Sequence, residues 1–395
     1  MFDEIEQSVL ILNQTAAFIW SASFEVDSRD DLIALVAGTF SISAELARHD
    51  IEQFYNDFQT DHLFLPKKDE QGSFFKAIDK TSYHPCDDSV DALYFLVNQN
   101  VFKLVLPTMA LRTELSRIYC HFICSADDFS QATKKFTIEV CLNTRLTTSL
   151  FSIYIDQQCV IKDLFITGVV PYVFGIIFEG IWTSEVCASE SGSPEIEAHT
   201  KEKTAQSLIF HAAVLAQDSG GTILFPAESG AGKSTLAALL AAKGWHFFSD
   251  ELAVITLQTF AVSPCPFPVC VKDGAVEFLS AYYPQLSSLT QHHRLDDKKV
   301  RYLPVEKPVL NFASKAEISA IIFPCYDNEI NCELQRLDKT EALTRFLICG
   351  SSGRPLLADE LSSLAIMIEK LPCYSLTYSD TDRAIEQIES VVMSL

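Results

Sequence analysis

One stretch constrains the fold of this chain more than any other: residues 220–255, GGTILFPAESGAGKSTLAALLAAKGWHFFSDELAVI. Its apolar run, Thr222 to Phe225, leads into a turn of small residues, and a helix starts near Ser234 with Leu236, Leu239 and Leu240 as its apolar stripe. Gly244 has the freedom to stop that helix in a left-handed conformation. Trp245 to Phe248 then reads as a buried strand that delivers Ser249, Asp250 and Glu251 at its end. A strand, a tight turn, a helix and a second strand in so short a span predict an α/β fold, a mixed sheet flanked by helices.

The turn carries chemistry in its backbone. Gly230 and Gly232 permit dihedrals that aim several N–H groups at one point, and the helix N-terminus behind them adds its positive dipole, so an anion is held there. Glu228, Ser229, Gly230, Ala231, Gly232, Lys233, Ser234 and Thr235 make up the cradle. Lys233, expected to face solvent, has the reach to meet β and γ phosphates, and the hydroxyl of Ser234 or Thr235 suits Mg²⁺. The segment follows the pattern G-x-x-x-x-G-K-[ST] except at its first glycine, where Ala227 stands. Nucleotide binding, with ATP and Mg²⁺ as ligands, is one reading, and an ordinary glycine-rich connection is the other. Asp250 and Glu251, at a strand end beside such a turn, suit metal coordination or proton removal from an attacking hydroxyl; the plainer alternative is a solvated turn.

FHAAV at 210–214, AESGAGKS at 227–234 and SDELAVI at 249–255 are similar to the P-loop core of HPr kinase/phosphorylase and the HPr-kinase-related proteins. The resemblance covers most of residues 205–395. It implies that Lys233 binds phosphates, that Ser234 and Asp250 hold Mg²⁺, that Asp250 is the acidic catalytic residue, and that His211 and the second acid, Glu251, support the site. Two positions depart from the family: Glu251 stands where it has aspartate, and Thr235 where the regulator kinase usually has glutamate. The glycine-rich segment tied in that family to the reverse, phosphorylase reaction has no counterpart here, so the resemblance favours kinase activity.

Ahead of this core, residues 1–65 read as a unit of their own. A strand at 8–12 is followed by three helical stripes: Ala16, Ile19 and Trp20; Leu32, Leu35, Val36 and Phe40; and Ala47, Ile51, Phe54 and Phe58. Ser28, with Asp31 three residues on, looks like the N-cap of the second. The run LILNQTAAFIW with the helices after it resembles PqqD-like domains, small winged-helix-like α+β units of ribosomal-peptide modification pathways. That resemblance implies recruitment of a precursor peptide through its leader, which adds a strand to the sheet edge. The alternative is a generic helical cap.

Residues 66–75 have the composition of a linker. Residues 76–204 read as the N-terminal lobe of the kinase-like region, with strands at 92–97, 102–106, 136–141 and 150–155, a helix at 110–124 and a mobile Ser/Glu-rich insertion at 183–203. The 205–395 domain closes with a strand at 318–324, helices at 339–347 and 358–371, a strand at 373–378 and a helix at 380–393. Lys272, Lys298, Lys299 and Arg301 are candidate phosphate or peptide contacts, or else plain surface bases. His292 and His293 read as surface residues rather than a metal pair, since no third ligand accompanies them.

A net charge of −22 argues against a nucleic-acid partner, because phosphate backbones demand clustered bases. The longest apolar stretch, 165–182, is interrupted by Gly168, Pro171, Gly175 and Glu179 and reads as a strand and a core helix rather than a membrane span. Twelve cysteines without a C-x-x-C pair read as reduced thiols of a cytoplasm, bacterial in the families resembled. The combined expectation is an ATP-dependent kinase that phosphorylates a serine hydroxyl of a ribosomally made precursor peptide, held through its leader by residues 1–65. Neither nucleic acid nor membrane is an expected partner, and the oligomeric state stays open. A non-catalytic nucleotide-gated peptide chaperone and a kinase of a small metabolite are the alternatives.

Overall fold

The computed structural model describes residues 2–3, 8–9, 15–16, 18–19, 29–40, 42–58, 92–97, 100–143, 150–190, 207–218, 220–294, 298–311, 315–349 and 356–395, apart from the side chains at 2–3, 8–9, 55–58, 143, 163, 179 and 181–190. The chain divides into two compact units, Met1–Asp69 with Pro355–Ser362, and Glu70–Arg354 with Ser363–Leu395. Trp20, Ser28, the linker at 66–75 and the part of the expected insertion at 191–203 lie outside the described residues.

In the first unit β1 (Phe2–Asp3) and β2 (Ser8–Val9) form an antiparallel ladder, with Phe2 opposite Val9. Two helices follow, α1 (Arg29–Phe40) and α2 (Ala44–Phe58). Ser43 starts α2, its hydroxyl accepting from the Leu46 N–H at 3.2 Å. The core joins Ile19, Leu32, Ile33, Val36, Ala47, Ile51 and Phe54. The stripe expected on α2 is therefore present in Ala47, Ile51 and Phe54, but α1 turns Ile33 inward and leaves Leu35 exposed. Leu32, Ile33 and Val36 span one arc of the helix, and Leu35 lies about 100° off its centre.

The second unit begins with a five-stranded sheet in sequential order: β3 (Leu93–Val97), β4 (Asn100–Val105), β5 (Lys134–Asn143), β6 (Leu150–Ile155) and β7 (Gln158–Phe165). Between β4 and β5 lie α3 (Met109–Ile118) and α4 (Ala126–Gln131), and this crossover makes β4 and β5 parallel. The helix expected at 110–124 stops at Ile118, because Phe122 and Cys124 leave it to bond the backbone of β3. After β7 comes α5 (Ile166–Glu190), so the long apolar stretch is helix from its second residue on, the strand expected at its start lies before it in β7, and residues 183–190 of the expected insertion are helical. Among the described residues no helix is long and apolar enough to cross a membrane.

A larger mixed sheet comes next. Its strands are β8 (Ser207–Phe210), β9 (Ala212–Ala216), β10 (Thr222–Pro226), then β11 (His246–Ser249) after helix α6 (Lys233–Ala242), β12 (Ala253–Thr256) and β13 (Ala261–Ser263). A separate three-stranded sheet holds β14 (Val269–Lys272), β15 (His292–His293) and β16 (Lys299–Leu303), with α7 (Asp273–Ser280) between its first two strands. The mixed sheet is completed by β17 (Ala316–Tyr326), β18 (Cys332–Arg336) and β19 (Cys373–Tyr378), joined by α8 (Lys339–Ile348) and α9 (Ala358–Lys370) and closed by α10 (Thr381–Ser394). Alternate residues Ala213, Leu215, Ile223, Phe225, Ala320, Ile322 and Leu376 share one core with Leu236, Leu239 and Leu240 of α6 and with Ile385 and Ile388 of α10.

The halves on either side of residue 204 share a second core. Val169, Val173, Ile176 and Ile177 of α5 pack with Phe95, Tyr119 and Val140 of the first sheet and with Leu252, Phe267 and Tyr302 of the later chain. A polar clamp accompanies them: Arg117 donates twice to Glu114 and once to the Tyr302 carbonyl, while His292 Nε2 meets Glu114 at 3.0 Å. His292 is thus buried, not the surface residue expected, because strand pairing turns alternate residues to opposite faces and only His293 points out. Burial works to raise the Glu114 carboxyl, but His292 and Arg117 outweigh it and bring it down to about 2. Cys141 is disulfide-bonded, contrary to the expectation for all twelve cysteines, and nine others are free thiols.

The Phe267 ring sits 5.4 Å from Phe174, 5.7 Å from Phe122 and 6.2 Å from Tyr119, and it is fully buried. Phe267→Ala is expected to cost about 3–5 kcal/mol of unfolding free energy. Chemical denaturation of the two proteins measures it, and a loss below about 1 kcal/mol would mean that the surroundings collapse into the space.

Candidate functional site

Strand direction decides what meets at the site. β9 runs antiparallel to both β10 and β11, so β10 and β11 run the same way. β17 is parallel to β10, and β19 is parallel to β17. The carboxyl ends of β11, β10, β17 and β19 therefore share one edge of the sheet, where open α/β sheets bind their ligands. Along that edge lie Asp250 and Glu251 after β11, the turn 227–232 after β10, and Tyr326 and Tyr378 at the ends of β17 and β19.

The turn has the backbone its composition predicts. Gly230 and Gly232 have φ of +104° and +87°. A methyl group at Gly232 would stand 2.9 Å from Tyr378 Oη and 3.1 Å from Tyr326 Cβ, so this position tolerates no side chain on two counts. Ala227 is buried and does not have positive φ, which is why alanine serves where the general pattern has glycine. Gly232 is the N-cap of α6 and offers no side-chain cap, leaving the first N–H groups of that helix available to an anion. At the other end Gly244 N–H bonds the Ala241 carbonyl at 3.0 Å and Trp245 N–H the Leu240 carbonyl at 3.1 Å, the reciprocal pair of a Schellman stop.

Lys233 corrects one expectation. It is only 5 % exposed rather than facing solvent, and its ammonium donates to the Asp250 backbone carbonyl and lies 3.5 Å from Oδ1 of the fully buried Asp250 carboxylate. Burial works against its charge, yet Asp250 and Glu251 outweigh that and raise its pKa. His211, in the single-residue step between β8 and β9, bonds Glu251 Oε2 through Nε2 at 2.7 Å. Burial pushes the Asp250 carboxyl up, and neighbouring Glu251 adds to this, against Lys233, the Ser234 hydroxyl and His211. Glu251 goes the other way: burial raises it, but Lys233, His211 and Arg294 bring it down to about 2. Two adjacent carboxyls are thus driven apart, Glu251 toward permanent charge and Asp250 toward proton acceptance.

Asp250 Oδ2 is buried without a hydrogen-bond partner, so a cation or a donor hydroxyl fits it. Ser234 and Asp250 are the residues here that suit Mg²⁺; no cluster of three or more His, Cys, Asp or Glu arranged for a metal occurs among the described residues. Lys272, the last residue of β14, reaches the turn and donates to Ser229 Oγ at 3.3 Å. Glu228 and Ser229 are exposed at its tip, with Ala231, Ser234 and Thr235 half-buried behind. Arg301 instead donates to Asp273 at 2.7 Å, and Lys299 acts on the same carboxylate, beside a shallow hollow of about 610 Å³ that also borders Glu277 and Gln291. Arg294, from the same basic run, is the one that bears on Glu251. Arg294 and both tyrosines carry no local sequence signal, because their places at the site come from distant strands meeting.

The Glu251 pKa of about 2 lies below its ordinary 4.5, so its contribution to stability is present above about pH 4.5 and is lost as pH falls toward 2. Glu251→Gln is expected to be less stable than wild type near neutrality by an amount on the order of 2 kcal/mol, with the gap closing in acid. Denaturant titrations from about pH 7 to about pH 2 measure it; a gap independent of pH would contradict the charge pairing.

Comparison with known proteins bears on the first unit. No curated protein matches the chain at a significant level. Residues 1–63 match the family model of coenzyme PQQ synthesis protein D, in agreement with the resemblance of the LILNQTAAFIW run.

Proposed function

We propose that the chain is an ATP-dependent kinase acting on a serine hydroxyl of a ribosomally made precursor peptide. The observation that carries this reading is the buried Lys233–Asp250 pair beside the uncapped N-terminus of α6, with one Asp250 oxygen left open. A triphosphate lying on the turn gives the helix N–H groups and Lys233 the anion they suit. The serine oxygen attacks the γ-phosphorus, the bond to the ADP oxygen breaks, and the hydroxyl proton passes to Asp250, whose raised pKa fits a base. His211 keeps Glu251 oriented, and the charge of Glu251 in turn holds Lys233 protonated against the leaving phosphate. Ser234 would hold Mg²⁺, which supplies charge neutralisation on the phosphates; Asp250, also suited to Mg²⁺, has one open oxygen and in this step uses it for the proton.

The match of residues 1–63 supports the peptide side of the reading, since domains of that family bind precursor peptides in ribosomal-peptide biosynthesis. Binding energy from a leader is remote from the reacting hydroxyl and acts through effective concentration.

Lys233→Ala is a poor test, because it strands a buried carboxylate and destabilises the fold. Asp250→Asn keeps the backbone carbonyl that Lys233 bonds and leaves Glu251 to balance the ammonium, so it disturbs the buried pair less than Lys233→Ala, and a denaturation curve of the variant shows that it is folded before turnover is read. Transfer of labelled γ-phosphate to a precursor peptide is expected to fall about 10²–10⁴-fold in Asp250→Asn while ATP affinity changes little. Unchanged turnover would remove Asp250 from the mechanism.

With the intact chain, a leaderless peptide is expected to show a KM raised about tenfold or more at similar kcat, and the isolated leader to compete with full-length peptide. Equal KM for the two peptides would rule out leader recognition by residues 1–65.

A further inference from the structure

The sheet edge has two sides around the turn, and they differ in chemistry. On the β9–β11 side stand Asp250, Glu251, His211 and Lys233, with charge and an open acceptor oxygen. On the β17–β19 side stand two tyrosines. Tyr378 is buried, and its hydroxyl is the atom that excludes a side chain at Gly232. Tyr326 meets it edge-on, ring centroids 5.8 Å apart at 81°, yet stays 48 % exposed. Its own N–H donates to the Ala231 carbonyl at 3.0 Å, so the strand end is fastened to the turn and the ring is held at its rim.

An exposed aromatic ring, held by a second ring and by a backbone bond, is a stacking surface with little conformational freedom left to lose. Just past Tyr326 the chain turns acidic, with Asp327 and exposed Glu329. Phosphates are therefore disfavoured beyond Tyr326, while an uncharged aromatic group is not. If the reacting end of a triphosphate points to Asp250, its other end leaves the turn toward β17.

We propose that Tyr326 is the platform on which the purine or pyrimidine base of the nucleotide stacks, making the β17–β19 side of the turn the base subsite. The proposal rests on the nucleotide-binding reading of the turn and adds to it the orientation of the nucleotide and a residue that selects nucleotides over bare polyphosphates. The stacking face is carbocyclic, so Tyr326→Phe retains it and Tyr326→Leu removes it. Because the side chain is half exposed, neither variant opens a cavity in the core.

Calorimetric titration of the full-length protein, with Mg²⁺ present, separates the two levels. ATP and inorganic tripolyphosphate are each titrated into wild type, Tyr326→Leu and Tyr326→Phe. Stacking on one base predicts that Tyr326→Leu weakens ATP about tenfold, leaves tripolyphosphate within about twofold, and that Tyr326→Phe behaves as wild type toward both. Tripolyphosphate binding with no loss of ATP affinity in Tyr326→Leu overturns the base platform and leaves the phosphate cradle standing. Equal weakening of both ligands also overturns it, since Tyr326 then acts only by shaping the turn. Failure of wild type to bind either ligand overturns the cradle and the platform together.

Discussion

A lysine and an aspartate taken out of water together are the constraint around which the second unit is built. Lys233 comes from the first turn of α6 and Asp250 from the end of β11, seventeen residues apart in the chain and at 5 % and 0 % exposure. Burying either alone costs several kcal/mol, and the pair recovers that only if its geometry is held. The fold holds it from both ends. The Schellman stop at Gly244 fixes where α6 ends and how the chain turns into β11, and the apolar face of α6, packed on alternate residues of β9, β10 and β17, prevents the helix from shifting. The desolvation at this point is offset by the apolar packing of α6 and α10 against the sheet.

Electrostatics at the edge follow from that burial. Asp250 and Glu251 are neighbours in sequence and both draw on Lys233, but Glu251 also has the His211 hydrogen bond and Arg294, so two like charges are tolerated side by side. Chemically the consequence is a division of labour between a carboxyl kept ionised and one able to take a proton. The same logic operates in the clamp of Arg117, Glu114 and His292, where a half-buried carboxylate on α3 is matched by Arg117 of the same helix and by His292 of β15, and joins the two halves of the unit. There the arrangement serves packing: it ties α3 to β15 and β16 next to the aromatic cluster around Phe267.

Local features were legible in the residues themselves. The turn glycines, the helix that leaves the turn, its stop at Gly244 and the strand that carries Asp250 all depend on dihedral freedom, capping and hydrophobic period, and each lies within a few residues of the feature it explains. The match of residues 1–63 to coenzyme PQQ synthesis protein D likewise agrees with a reading of a short N-terminal run. Helix α1 shows the limit of the period alone: Leu35 and Ile33 are equally apolar, and only the position of α2 and Ile19 decides which of them is inside.

Tertiary structure alone decided who meets whom across the sheet. That Lys233 is buried rather than solvent-facing, that His292 is in a core, that Arg301 turns to Asp273 while Arg294 acts on Glu251, and that Tyr326 and Tyr378 flank Gly232 all depend on strands distant in sequence pairing in one order. The physical reason is range. Backbone sterics and helix or strand period act over a few residues and are written in consecutive letters, whereas desolvation and Coulomb energy depend on distances in space, which β9 and β17 set only once they have closed on β10.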